Sequence, residues 1–262
     1  MLWRYFTVLC VCCFTFAAAE VVGPSDALGD HLKRAYESYM AGETATTVGE
    51  REQHFNRALR LYTQLEAEPG NGRLFYDIGN TYFQLEQYGW SILYYLRAQR
   101  LLPRDDRVQF HLTLAQAQQH LPIDPDDKWK NRLFYWHMKL SQSERIQLFV
   151  GLAAITALLA SFLIWRRSET VKIVTGITTV CSLLVLGSVL YYQYFAPVEG
   201  VVVKAFGLYH GPSEDYALVS DEPFTPGTQL TVENVVENGQ WLKVETSSGR
   251  QGYIPSDVFR LI

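Results

Sequence analysis

Two runs stand back to back in this chain, IQLFVGLAAITALLASFLIW at residues 146–165 and IVTGITTVCSLLVLGSVLYYQYF at residues 173–195. Only RRSETVK, residues 166–172, separates them, and neither run contains a charged residue. As a helix rising 1.5 Å per residue, each is long enough to span the roughly 30 Å hydrocarbon core of a bilayer. So short a connection returns the chain to the side it came from. The sequence therefore predicts a membrane hairpin, with residues 20–145 and 196–262 sharing one compartment.

The N-terminus indicates which compartment. Residues 1–6 carry one cation, Arg4, and an apolar stretch runs on to Phe16. Ala17, Ala18 and Ala19 then precede Glu20, the small-residue pattern of a signal-peptide cleavage site. The alternative is an uncleaved anchor; in both cases the segment from Glu20 onward is exported. Cys10, Cys12 and Cys13 fall in this leader (1–19) and Cys181 in the second run, so the exported segments contain no cysteine. Disulfides, thiolate metal sites and cysteine nucleophiles are thereby excluded from them. Arg166, Arg167 and Lys172 suit a cytoplasmic turn. Lys128, Lys130, Arg132, Lys139 and Arg145, at the other end of the first span, pull towards the inverted hairpin. The leader fixes the first helix, so the turn 166–172 is placed in the cytoplasm.

Periodicity in residues 20–120 is helical. Between positions 71 and 103, Phe75, Ile78, Gly79, Tyr82, Ser91, Tyr95, Ala98 and Pro103 occupy the spacing of the tetratricopeptide repeat. Gly79 and Ser91 are small where two helices of a repeat cross, Tyr82 and Tyr95 fill the space between helices, and Pro103 ends the second helix. Pro69 lies one 34-residue period earlier. The preceding unit reads as a helix over 27–40, an inserted polar loop over 42–49, and a helix over 51–66. Residues 105–120 form a further amphipathic helix through Val108, Leu112 and Ala115. Two repeats and a solubilising helix build an α-solenoid whose stacked first helices form a concave groove for peptides. The repeat's inner-face positions fall on Arg73, Tyr76, Asn80, Gln84, Arg107 and Phe110. Asn80 and the two arginines suit a peptide backbone or carboxylate; each is equally readable as a solvated helix residue.

Residues 121–145 form a linker and an interfacial segment. Pro122 and Pro125 bar helix continuation, and Trp129, Phe134, Tyr135 and Trp136 alternate with basic residues, a composition suited to a headgroup boundary. An exported segment meets no nucleic acid. Ser141 followed by Glu144 predicts a capping box. Within the spans, Ser161, Thr175, Thr178, Thr179, Ser182 and Ser188, with Gly176, Cys181 and Gly187, read as marks of close helix packing. The absence of intramembrane charge argues against a proton-coupled carrier.

From residue 196 the period changes to that of strands, at 201–203, 229–235, 241–245 and 251–254, punctuated by Gly, Pro, Asn and Ser. The order LYHGPS (208–213), PGT (226–228), GQWLKV (239–244) and GRQGYIP (249–255) resembles a bacterial SH3-type domain, a small five-stranded barrel. Gly227 and Gly249 permit positive-φ turns, and Gly252 allows close backbone approach. Tyr209, Trp241 and Tyr253 form a candidate recognition surface. Trp241 reads equally as the plug of a barrel with little other core. Four Lys/Arg stand against nine Asp/Glu in 196–262, which disfavours nonspecific attraction to polyanions. No nucleophile constellation accompanies His210 and Asp215, so no catalytic residue, cofactor or metal site is assigned.

The full order is a leader, helical repeats, an approach through FYWHMKLS (134–141), a hairpin and a small all-β domain. It resembles the BatE-like members of the Bat aerotolerance family along essentially the whole chain. The resemblance implies a multidomain membrane protein with a tetratricopeptide-repeat α-solenoid, two transmembrane helices and an SH3-like barrel. It further implies a non-enzymatic inner-membrane scaffold in a Bat/MoxR-type envelope or oxidative stress tolerance system. Its expected partners are membrane-anchored von Willebrand factor A domain proteins and other Bat-family proteins, with an indirect link to a MoxR-type AAA+ ATPase. Both exported domains would be periplasmic. A cell-wall-binding protein whose barrel grips peptidoglycan peptides is the alternative.

Overall fold

The computed structural model describes residues 26–66, 71–122, 140–166, 168–220 and 222–262. The leader, Pro69, Arg167 and the aromatic approach at 123–139 lie outside the described residues. Among the described residues the chain forms seven α-helices and one five-stranded antiparallel sheet. It divides into two units, residues 1–65 and 66–262.

The first unit is a helix pair, α1 (Asp26–Thr44) and α2 (Val48–Gln64). Ala35, Phe55, Ala58 and Tyr62 are buried. In place of the inserted loop expected at 42–49 there is a short link, residues 45–47. Thr44 extends α1 by returning its hydroxyl to the carbonyls of Met40 and Ala41, and Thr47 caps α2 by accepting from the Glu50 amide. Gly42 belongs to the helix interface: a Cβ there would sit 2.8 Å from the Phe55 ring.

The second unit begins with α3 (Gly72–Gln84), α4 (Tyr88–Leu101) and α5 (Asp106–Gln118). Asn71 caps α3, its Oδ1 accepting from the Leu74 amide at 3.0 Å. Gly79 and Ser91 stand where α3 and α4 pack closely: a Cβ on Gly79 would come 2.7 Å from the Tyr95 ring, and Ser91 is fully buried. Tyr82 lies sandwiched between Trp90 and Tyr94, at centroid distances of 5.7 and 5.4 Å. Helix α4 stops at Leu101, two residues before Pro103.

Helices α6 (Gln142–Trp165) and α7 (Glu169–Tyr194) are both long and apolar enough to cross a membrane. At 24 and 26 residues they are about 36 and 39 Å long. Leu158, Ile164, Ile173, Leu183 and Leu184 are each at least 60 % exposed, a surface that water would disfavour and lipid would not. The Ser141–Glu144 capping box is present. Helix α7 starts earlier than residue 173: Lys172 and Glu169 pair across its first turn at 2.7 Å. Close packing between α6 and α7 involves Ser182, Val185 and Ser188. It does not involve Gly176 or Gly187, whose added Cβ would meet open space, nor the exposed Cys181. The hydroxyls of Ser161, Thr175, Thr178 and Thr179 bond back to carbonyls of their own helices, which satisfies them without a neighbouring helix.

The sheet comes next, in the order β4-β3-β2-β1-β5: β1 (Val198–Val202), β2 (Gln229–Val236), β3 (Trp241–Glu245), β4 (Gln251–Pro255) and β5 (Phe259–Leu261). Its core holds Val202, Leu208, Leu230, Leu242, Val244, Ile254 and Phe259. Alternation along β3 buries Leu242 and Val244 and leaves Trp241 on the opposite face with Lys243. Trp241 is therefore not the plug of this core. Gly227 and Gly249 adopt φ of 102° and 79°, as their turns require.

Candidate functional site

Among the described residues, two clusters of partly exposed side chains stand out once the cores are filled. The first lies on α3 and α5. Tyr95 on α4 is fully buried and donates its hydroxyl to Asn80 Oδ1 at 2.7 Å. That bond occupies the Asn80 carbonyl oxygen, while its NH2 group is a donor only. Around Tyr95 stand the Tyr76 ring at 6.0 Å and His111 at 5.9 Å. Tyr76 and His111 meet edge to face at 5.6 Å, and Phe110 meets His111 likewise at 5.4 Å. Phe110 keeps 64 % of its surface exposed. The result is an aromatic floor with one open edge.

The two arginines have unequal roles. Arg107 donates from Nε and Nη2 to Asp105 at 3.0 and 2.6 Å and lies 5.8 Å from the Tyr76 ring centre. Asp105 also caps α5 by accepting from the Arg107 amide at 3.0 Å. Its carboxyl is held below the usual range, above all by that guanidinium. Arg107 thus supports Tyr76 and is already engaged. Arg73 is exposed. Gln84 lies at the last residue of α3, one turn beyond Asn80.

Two residues here are not evident from the sequence. Asp77 is half-buried, and burial pushes its carboxyl up from 3.8 to about 6, against the opposing pull of Arg73 and Arg107. His111 is lowered by burial. The usable signal is position: Asp77 is one turn after Arg73, and His111 is one turn after Arg107. Since the folded value of Asp77 lies above the unfolded one, its contribution to stability is full below about pH 4 and lost as pH rises through about 6. Asp77→Asn is thus expected to stabilise this helical segment by about 2 kcal/mol at pH 8 and by nothing at pH 4. Hydrogen exchange of the α3 amides, corrected for intrinsic rates, reads this directly; an equal gain at both pH values contradicts it.

The second cluster is on the sheet. Tyr209 meets Trp241 edge to face at 6.1 Å and Phe206 at 5.6 Å. Tyr209 and Tyr253 exchange main-chain hydrogen bonds of 3.0 and 2.8 Å. Trp241 and Tyr253 alternate with the buried positions of β3 and β4, so both belong to the face away from the core. Of the three sequence candidates, Tyr209 and Trp241 are in ring contact and Tyr253 is joined to Tyr209 through the main chain, with Phe206 against Tyr209. Beside them Lys243 pairs with Glu233 at 2.7 Å.

A cavity of about 290 Å³, lined by Tyr88, Trp90, Gln119, Val203 and Pro226 among others, lies where α4 meets the sheet, apart from both clusters. Among the described residues no group of three or more His, Cys, Asp or Glu could hold a metal ion. No protein-family model matches the chain, and no curated protein matches it.

Proposed function

We propose that this chain is a membrane-anchored adaptor whose α3–α5 surface binds a segment of a partner protein. The observation that carries the reading is the aromatic floor of Tyr76, His111 and Phe110, rimmed by Arg73, Asp77 and the Asn80 amide. Aromatic side chains that keep exposed area, next to polar groups with spare hydrogen-bonding capacity, are what protein recognition uses. In this reading α3 and α4 are a tetratricopeptide repeat, the sheet is an SH3-like barrel, and the hairpin holds both in the periplasm. The partners are membrane-anchored von Willebrand factor A domain proteins of a Bat/MoxR-type stress system, and the chain itself catalyses nothing. Purification in mild detergent tests this: such a protein is expected to co-purify with the wild type and to be lost with Arg73→Glu. A reporter active only outside the cytoplasm, fused after Ile262, should be active; an inactive fusion contradicts the orientation.

The strip of Phe206, Tyr209 and Trp241 favours a second reading, in which the barrel grips peptidoglycan peptides. Sedimentation with purified sacculi separates the two. An adaptor stays in the supernatant, whereas a wall binder sediments and is released by Trp241→Ala.

A further inference from the structure

Arg97 and Arg100 stand one turn apart on α4, and Arg104 follows in the turn after its last residue, Leu101. Each reaches a different element. Arg97 donates Nη1 to Glu66 Oε1 at 2.7 Å and Nη2 to the main-chain carbonyl of Leu261, next to the chain end in β5, at 2.9 Å. Arg100 donates Nη1 to the Ile262 carbonyl at 2.8 Å and Nη2 to Glu199 Oε2 at 3.1 Å. Arg104 pairs with Glu144, whose other carboxylate oxygen closes the capping box at the start of α6. Glu199 stands in β1, five residues after the last residue of α7. Helix α4 and the turn after it therefore touch the sheet and the first turn of α6.

Apolar contact accompanies the charges. Gly227, in its positive-φ turn, lies against Ile92 and Leu121, and Ile92 is fully buried. Gly89 opens α4 against Pro226, where a Cβ would come within 2.8 Å. The Arg260 guanidinium lies 5.6 Å from the centre of the Trp90 ring. An exposed ion pair such as Arg100–Glu199 contributes little alone. Charge-assisted bonds to main-chain carbonyls, laid over a buried contact, specify orientation more strongly.

We infer that α4 and the turn after it are a spine: their three arginines lock the α3–α5 helices, the sheet and the start of α6 into one rigid body. The two aromatic clusters are then held at a fixed separation and a fixed height over the hairpin. A partner spanning both would meet a preorganised surface, without the ordering penalty of flexibly tethered domains. That consequence rests on the adaptor reading; the rigid body does not.

Spin-label distances in full-length protein in nanodiscs test it, with the four cysteines replaced by serine and labels placed through Gln118→Cys on α5 and Val235→Cys on β2. The wild-type background should give one narrow distance distribution, and Arg97→Ala/Arg100→Ala/Arg104→Ala should broaden it at least twofold. Should that triple variant fail to fold by circular dichroism, Arg100→Glu is expected to broaden the distribution and Arg100→Glu/Glu199→Arg to narrow it again. A broad distribution in the wild-type background overturns the inference. So does a folded triple variant with the wild-type width, or a charge reversal that fails to restore it.

Discussion

Gly252→Val is expected to abolish the sheet module, with a loss of at least about 3 kcal/mol. A Cβ at this position would stand 2.5 Å from Leu208 Cγ and 2.7 Å from the Tyr209 carbonyl oxygen. The carbonyl cannot withdraw, because Tyr209 and Tyr253 exchange the hydrogen bonds that join the 206–209 segment to β4. Leu208 cannot withdraw either, since it is part of the core with Val244 and Ile254. Relieving the clash therefore breaks the main-chain pair or empties the core. Hydrogen exchange should show the β3 and β4 amides losing protection while α1 and α2 retain theirs. Unchanged protection in β4 would contradict this close approach.

Tyr95→Ala is expected to destabilise the α3–α5 helices by about 3–5 kcal/mol. The ring fills the space that Gly79 leaves empty, with no exposed surface of its own. Its removal also strips Asn80 of its donor and Tyr76 and His111 of their neighbour. Tyr95→Phe isolates the hydroxyl and should lose only about 1 kcal/mol. Partner binding should fall in both variants, because the hydroxyl orients Asn80. Denaturation in detergent, set beside partner affinity, separates the two effects. A Phe variant as damaged as the Ala variant would contradict the packing role assigned to the ring.

The architecture was legible where a local pattern has one physical solution. Uncharged runs of bilayer length, small residues at a helix crossing, and the Ser141–Glu144 cap each dictate their geometry without knowledge of the rest of the chain. Legibility failed where a residue type has two uses. Gly42 reads as a loop residue beside Glu43 and Thr44, yet it is small because the Phe55 ring lies on it. Gly176 and Gly187 read as helix-packing residues, yet between α6 and α7 the contact is made by Ser182 and Ser188. Trp241 reads equally as recognition surface and as core plug by its size, and strand parity, set by Leu242 and Val244, turns it outward.

The candidate sites were legible only in part, because a site is assembled across elements. Tyr76, Asn80 and Phe110 are found from repeat spacing. Arg107 is also found from spacing, but its bidentate bond to Asp105 removes it from the groups open to a ligand. Asp77 and His111 gain their properties from burial between helices, which spacing along one helix does not reveal. What Arg97, Arg100 and Arg104 join is invisible in the sequence for the same reason. Their partners lie 31 to 164 residues away along the chain.

A photo-crosslinking amino acid at Phe110 in living cells reports whether the α3–α5 surface binds a protein partner in the envelope, as proposed. The expected result is a covalent adduct with a membrane-anchored von Willebrand factor A domain protein, absent in the Arg73→Glu background and absent when the crosslinker is moved to the exposed Val48. No adduct at Phe110, or only the adducts also formed at Val48, would contradict binding at this surface.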